Sequence, residues 1–279
     1  MPELPEVEFA RRALLRWLDG RRVVRAEADP TRVFRGAEPA HFARLRGRLQ
    51  GLERRGKYLL FSFEADRGLL GHLGMTGKFV RRPAGHAEPY SRARLHLDSG
   101  DVVHFRDPRL FGRMEPVPAA ALGELPVVKA LGLDPLLDGA GGPGTPLSAA
   151  QLQQALGSSR QDLKVALMDQ GRLAGLGNIH AAESLFRAGL HPARKPASLS
   201  PAEWGKLARA IQATLDYAFE LNGEGDEMDY LEEPGTRNPF RIYGRAGEPC
   251  RKCKASVESF AQGGRTTHFC PRCQPRDSR

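Results

Sequence analysis

Several architectures are excluded by what this sequence lacks. Only four of its 279 residues are cysteine, too few for a disulfide scaffold. No apolar run approaches the roughly 20 residues that cross a bilayer. The opening MPELPEVEFARR lacks the basic-then-apolar order of a secretory signal. Internal repeats, coiled-coil heptads and collagen-like periods are absent. Acidic residues are the minority, with 33 Asp plus Glu against 42 Lys plus Arg and a net charge of +9. Hydrophobic residues at 41% are enough for sizeable cores, so the chain is not a disordered one. The expectation is a soluble, cytoplasmic protein with no membrane partner and a surface that attracts polyanions.

A length of 279 residues suggests two domains and a small appendage. The four cysteines fall in one arrangement, Cys250-x2-Cys253-x16-Cys270-x2-Cys273. Two such pairs aim four sulfurs at one point and read as a structural tetrathiolate zinc site with no open position for catalysis. Two disulfides or a redox pair are the other readings. The spacer around Gly263 and Gly264 suits a β-hairpin.

Upstream, residues 6–18 carry one apolar stripe, with Pro5 in the first turn and Gly20 as a stop, and are predicted helical. From 22 to 117 the pattern changes to short β segments, for example 23–28, 58–63, 69–75, 93–97, 102–106 and 112–117, with Asp-Ser-Gly-Asp at 98–101 as a hairpin turn. That spacing predicts a sandwich or barrel. The Gly- and Pro-rich stretch 133–147 reads as a linker. Helical periodicity then appears at 163–168, 181–188 and 204–219, with Ser148 and Pro201 as openers. The predicted class is α+β multidomain. Residues 1–132 form an N-terminal helix plus β-sandwich, 148–240 a helical domain and 241–279 a zinc hairpin.

Six places could carry chemistry. Removal of Met1 would leave Pro2 as a secondary amine. An α-amino group has a pKa near ~8 against ~10.4 for lysine, so part of it is unprotonated at neutral pH and can attack an electrophilic carbon. Glu3 and Glu6 stand beside it as proton donor, acceptor or electrostatic stabiliser. The alternative is a plain terminus and helix cap. Arg54, Arg55 and Lys57 enter a strand and could bind phosphate or form a solvated edge. Met75 lies in the loop His72-Leu73-Gly74-Met75-Thr76-Gly77, and Arg109 and Phe111 in Asp107-Pro108-Arg109-Leu110-Phe111-Gly112. Cations and apolar tips on turns can wedge a base stack or simply pack. The turn Gly175-Leu176-Gly177-Asn178 enters a helix and exposes N–H groups to an anion, with Lys164 on the preceding helix. Arg265 lies in the zinc hairpin, where basic residues commonly meet nucleic acid.

In order along the chain, Met-Pro-Glu-Leu-Pro-Glu-Val-Glu, Arg-Arg-Gly-Lys-Tyr-Leu-Leu, His-Leu-Gly-Met-Thr-Gly, Asp-Pro-Arg-x-Phe-Gly, Gly-Leu-Gly-Asn-Ile-x-Ala-x-Glu-Ser-Leu-Phe-Arg-Ala-Gly-Leu-His-Pro and Tyr-Gly-Arg-x-Gly-Glu-Pro-Cys closely resemble the Fpg/Nei family of DNA glycosylases. The opening motif is similar to the formamidopyrimidine branch. The resemblance implies a helix–two-turn–helix domain and a bifunctional glycosylase and abasic-site lyase. Such an enzyme flips and excises oxidised or ring-opened purines from double-stranded damaged DNA. It implies Pro2 as nucleophile at C1′, Glu3 as acid/base partner, Glu6 as support, and Lys57 as the catalytic lysine contacting DNA beside the lesion. Met75, Arg109 and Phe111 fall on the residues that fill the void. Lys164, Asn178 and Arg265 fall on phosphate-binding positions, and Glu183 on an acidic residue near the pocket floor. Cys250, Cys253, Cys270 and Cys273 would hold one structural Zn2+. A monomer associated with the nucleoid is expected.

Two departures stand out. The loop 222–233 carries six acids between 224 and 233 in place of the family's Gly-Gly-Thr-Thr segment, and His180 replaces a tyrosine. The loop is either solvated and redesigned, or its carboxylates favour a cationic damaged base. Two rival functions remain: the same mechanism on oxidised pyrimidines or alkylated and bulky bases, and a non-catalytic reader of damaged DNA.

Overall fold

A computed structural model describes the chain apart from Met1, residues 35–38, 140, 141, 143, 224, 228–234 and 277–279. Its contacts form two compact units: Met1–Lys129 with Asn222–Thr236, and Ala130–Leu221 with Arg237–Arg279. The cysteine-bearing hairpin thus groups with the helices, and the acid-rich segment groups with the strands.

In the first unit, helix α1 (Leu4–Leu18) starts with Pro5 in its first turn and a capping box between Glu3 and Glu6. Among the described residues eight strands follow: β1 (Arg22–Ala28), β2 (Gly47–Arg55), β3 (Tyr58–Phe63), β4 (Arg67–His72), β5 (Lys78–Pro83), β6 (Ser91–Leu97), β7 (Asp101–Arg106) and β8 (Arg113–Pro118). Short helices α2 (Pro39–Phe42) and α3 (Pro126–Lys129) flank them. The strand order is β5-β7-β6-β1-β2-β3-β4-β8. Between β1 and β2 only Arg22↔Arg48 and Val23↔Gly47 are paired, so the sheet divides there into two antiparallel layers of four. Val7, Leu14 and Trp17 of α1 share one core with Phe61, Phe63 and Leu69 of one layer and Phe79, Leu95 and Phe105 of the other. The Phe61 and Phe79 rings meet across the layers at 5.8 Å. Truncating such a residue to Ala costs about 3–5 kcal/mol.

Strands β2 and β5 lie within the β region read from sequence but were not singled out there, because charged side chains hide their alternation: Arg54 and Lys78 occupy buried positions where an apolar residue would signal a strand. The expected strand 69–75 stops at His72, since Gly74 turns the chain with φ +68°.

In the second unit, Ser148 accepts a hydrogen bond from the Gln151 N–H and opens α4 (Ala149–Leu156). Helices α5 (Leu163–Met168), α6 (Asn178–Ala188) and α7 (Pro201–Asn222) follow. Ahead of them, buried Asp134 accepts from the Leu136 N–H at 3.0 Å, and Leu133 bridges to Leu173. Strands β9 (Glu258–Gln262) and β10 (Arg265–Phe269) are joined by Gly263 and Gly264, both at positive φ as a type I′ turn requires. Ala182 and Phe186 of α6 pack with Ile242, Cys250, Val257 and Cys270, so the hairpin shares a core with the helix. No helix among the described residues is long and apolar enough to cross a membrane.

Candidate functional site

Pro2 is buried immediately ahead of α1, and the Glu3 side chain is 0% exposed. The Glu3 N–H donates to Glu6 Oε2 at 2.8 Å, closing the capping box. The positive end of the helix dipole favours both carboxylates there. One turn on, Glu8 accepts from Arg11, from Arg12 and from buried Arg54 at 3.2 Å. Burial pushes the Glu8 carboxyl up, but the guanidinium groups outweigh it and hold it below the usual range. Arg54 also donates to the Gly56 carbonyl at 2.9 Å, bracing the β2–β3 turn on which half-buried Lys57 stands. Arg54 is therefore an internal strut of this turn rather than a phosphate ligand.

Near that turn, burial first, then the charges of Lys57 and Arg113, push His72 down to about 4. Its Nδ1 accepts from the Gly74 N–H at 3.0 Å, which assigns the ring proton of the neutral imidazole to Nε2.

The two turns carrying Met75 and Arg109–Phe111 are built as one piece. A Cβ on Gly74 would collide with the Phe111 backbone, so the loop carrying Met75 lies directly against the turn carrying Arg109 and Phe111. Fully buried Asp107 ties them: it accepts from Thr76 Oγ1 at 2.8 Å, from the Gly112 N–H at 2.7 Å and from the Arg109 N–H at 3.3 Å. Leu110 takes φ +58°, which costs a non-glycine residue energy. Arg32 compensates by donating to the carbonyls of Arg109 (2.7 Å) and Leu110 (2.9 Å). The guanidinium groups of Arg109 and Arg32 lie 4.9 and 5.2 Å from the centroid of the Phe111 ring, which is 39% exposed. Sequence reading missed Arg32, whose role depends on a contact 77 residues away.

In the second unit, Lys164 is fully buried and donates to Asn178 Oδ1 and, at 2.8 Å, to Thr267 Oγ1. Thr267 in turn donates to Gln262 Oε1, and Gln262 donates to Asp162 at 2.9 Å. The geometry makes Lys164 the group that positions Asn178 and the hairpin, not one that projects to solvent. Gln170, also missed, braces the turn before α6 by donating to the carbonyls of Met168 and Leu176 and accepting from the Gly175 N–H. Arg265 is exposed beside the hairpin turn, which approaches Val165 of α5. Glu183 is buried and accepts from the backbone N–H groups of Arg241, Ile242 and Tyr243 at 2.8–3.1 Å. It anchors the chain entering the hairpin. His180 is buried against the Phe240 ring.

One ligand atom from each of the four cysteines lies within 4.8 Å of all the others. The Lys252 N–H points to Cys250 Sγ and the Cys273 N–H to Cys270 Sγ, contacts that favour thiolates. No cysteine is in a disulfide, and the set fits one zinc ion.

Of the six acids in the loop, only Asp226 and Glu227 are among the described residues. Asp226 pairs with Arg16 at 3.4 Å and Arg81 at 3.3 Å, and Glu227 with Arg82 at 3.2 Å.

Comparison with known proteins places this geometry. Residues 1–114 match the formamidopyrimidine-DNA glycosylase N-terminal domain, 131–229 its H2TH domain, and 247–276 the zinc finger found in FPG and IleRS. A formamidopyrimidine-DNA glycosylase of Afipia carboxidovorans is 39% identical, covering 98% of this chain and 100% of that protein. The chain belongs to the formamidopyrimidine-DNA glycosylase family. The MutM (FPG) protein of Thermus thermophilus is similar at TM-score 0.80 and 36% identity, covering 99% of this chain and 100% of that one. A Lactococcus lactis Fpg bound to DNA containing N7-benzyl-Fapy-dG is similar at TM-score 0.84 and 30% identity, with 98% and 100% coverage. As a formamidopyrimidine-DNA glycosylase family member, the protein is a DNA-repair glycosylase with a zinc-finger hairpin.

Proposed function

We propose that this glycosylase acts on double-stranded damaged DNA, excising oxidised or ring-opened purines and then cleaving the abasic strand. The observation that carries the reading is the burial of Pro2 and of the Glu3 carboxylate at the start of α1, braced by Glu6. With Met1 removed, the Pro2 nitrogen attacks C1′, and the base leaves with the bonding electron pair and takes up a proton. Glu3 is suited to manage the proton at the sugar oxygen as the ring opens to an iminium. The iminium acidifies C2′–H, and loss of that proton expels the 3′ phosphate. A second elimination expels the 5′ phosphate. Lys57 contributes a cation, and a proton where needed, beside the lesion.

A base inside a duplex is unreachable, so Met75, Arg109 and Phe111 serve as the wedge that occupies the vacated space. Asn178 and Arg265 hold phosphates, with Lys164 positioning Asn178 from behind. Glu183 supports the site at a distance, through the backbone it anchors. When bound, zinc supplies structure alone and fixes the hairpin that presents Arg265.

Borohydride trapping tests the reading, with labelled duplexes carrying 8-oxoguanine, a ring-opened methylguanine or an abasic site. The expected result is a covalent adduct with wild type, none with Pro2→Gly, and an intact mass lacking Met1. Duplex binding without trapping would replace this reading with that of a damage reader. A ranking led by oxidised pyrimidines would move the substrate class.

A further inference from the structure

The second unit contains a cleft of about 840 Å³ that the proposed repair chemistry does not use. Its lining carries six cations, Arg187, Lys206, Arg209, Arg241, Arg251 and Lys252, and not one carboxylate. They come from three separate stretches of chain: the end of α6, the exposed side of α7, and the knuckle between Cys250 and Cys253 with the segment leading to it. Arg187 stands nine residues beyond Asn178 on α6, roughly 13 Å along the axis at ~1.5 Å per residue. The cleft is thus at the opposite end of the helix from the phosphate-binding turn.

With no carboxylate in the lining itself, these like charges repel one another across the cleft, and the repulsion is relieved when an anion binds. Arg187 shows this state directly. Its Nε and Nη2 are buried with no hydrogen-bond partner among the described residues. Burial, then the Arg241 charge, lowers its affinity for its proton, and the charges of Glu183 and Glu220 oppose this without cancelling it. That edge of the guanidinium is closed to solvent, so an anion entering the cleft meets first the exposed cations of the lining, Lys206 and Arg209.

The rest of the lining narrows the ligand. Phe186, Ala210 and Ala213 give the cleft apolar surface between its cations. Single-stranded nucleic acid is usually held by open aromatic faces on which bases stack. Here Phe186 is only 5% exposed, and the neighbouring Tyr217 ring already carries Arg187 at 5.2 Å and Arg241 at 5.7 Å. The volume falls in the roughly 300–1,000 Å³ range of sites that enclose small ligands. It suits a short segment rather than a duplex.

We infer that this cleft is a docking site for a short acidic peptide segment of a partner protein, in which carboxylates meet the cations and interspersed apolar side chains meet Phe186, Ala210 and Ala213. It would let the glycosylase be recruited while its phosphate-binding turn stays open for DNA.

The test uses the full-length, zinc-loaded protein and a fluorescein-labelled twelve-residue peptide alternating Asp or Glu with Leu, with fluorescence anisotropy as the readout. Lys206→Glu/Arg209→Glu reverses two exposed charges on α7 without touching the cysteines. The expected result is saturable binding to wild type that weakens at least tenfold in the variant, while affinity for a lesion duplex stays within twofold. A (dT)12 strand should compete poorly. Equal peptide affinity in wild type and variant, or no binding at all, would overturn the assignment. Displacement by (dT)12 at lower concentration than unlabelled peptide would reassign the cleft to single-stranded nucleic acid. None of these readouts requires catalysis, so failure of the Pro2 chemistry would leave the result interpretable.

Discussion

The buried ammonium of Lys164 donates to the Thr267 hydroxyl 2.8 Å away, which ties helix α5 to strand β10 of the cysteine-bearing hairpin. The same nitrogen holds Asn178 Oδ1 at the start of α6. One buried cation thus joins the helix–turn motif and the hairpin. Lys164→Met leaves buried acceptors without their donor, at about 1–3 kcal/mol for each group stranded. A direct phosphate contact and a positioning role differ in salt dependence. Loss of one phosphate contact lowers the slope of log affinity against log salt by roughly 0.9. Arg265→Ala is expected to show that drop, whereas Lys164→Met is expected to weaken duplex binding and thermal stability with the slope nearly unchanged. Titrations at several salt concentrations check both.

Zinc removal should act on the second unit selectively. Cys250 and Cys270 are part of the core that joins the hairpin to α6, so losing the ion loosens that core as well as the knuckles. Metal analysis is expected to return one zinc per chain. A strong chelator, or Cys270→Ser, should abolish lesion-duplex binding while the strand signal of the first unit persists in circular dichroism. Full duplex affinity without zinc would contradict this.

Phe111 is presented by a turn with a strained Leu110 that Arg32 clamps through two carbonyls. Arg32→Ala removes the clamp and one of the two guanidinium groups over the ring. The Phe111 ring, the proposed wedge, then loses its preset orientation, at about 1–3 kcal/mol for a strained backbone no longer held. Single-turnover excision is expected to slow about tenfold, with undamaged-duplex affinity changing far less. Equal losses in both would mark Arg32 as a simple phosphate contact instead.

The neutral state of His72 sets a pH limit. Its pKa lies at about 4, against an ordinary 6.5, chiefly through burial. Between those values the unfolded chain binds the proton and the folded one does not. The stabilisation is therefore complete above about pH 6.5 and is lost as pH falls through about 4, up to about 3 kcal/mol. The thermal midpoint of wild type should fall more steeply across this window than that of His72→Gln. A ring-proton titration with its midpoint near 6.5 would refute the assignment.

What the sequence made legible follows from where the signals reside. The tetrathiolate spacing, the β9–β10 hairpin around Gly263–Gly264 and the Ser148 cap are local, and all are found. Most strands of the sandwich were visible through alternation. Strands β2 and β5 were not, because Arg54 and Lys78 fill inward positions whose charges are answered by distant partners such as Glu8. The same non-locality hid Arg32 and the positioning role of Lys164, whereas Gln170 makes only local contacts and is a residue type that no motif singles out. A residue type and its neighbours can propose a phosphate ligand, but only tertiary contacts decide whether its charge faces out or is consumed inside. Glu183, bound by three backbone N–H groups, is another such case.

The acid-rich loop allows a direct test of lesion choice. Selection of a cationic base requires carboxylates whose charge is unspent. Asp226 shares its charge with Arg16 and Arg81, and Glu227 with Arg82. A paired charge has a shorter-ranged field than a lone one, and exposed fields are screened beyond about 8 Å at physiological salt. The pairs are exposed, so each contributes about 0–1 kcal/mol to stability. Asp226→Asn/Glu227→Gln is therefore expected to leave thermal stability nearly unchanged and to alter excision of an N7-alkylated cationic purine and of a neutral oxidised purine alike. The measured quantity is the ratio of the two single-turnover rates, expected to stay within twofold of wild type. A fall of tenfold or more confined to the cationic lesion would show that these carboxylates leave their arginines when DNA binds, and that the loop reads charge on the damaged base.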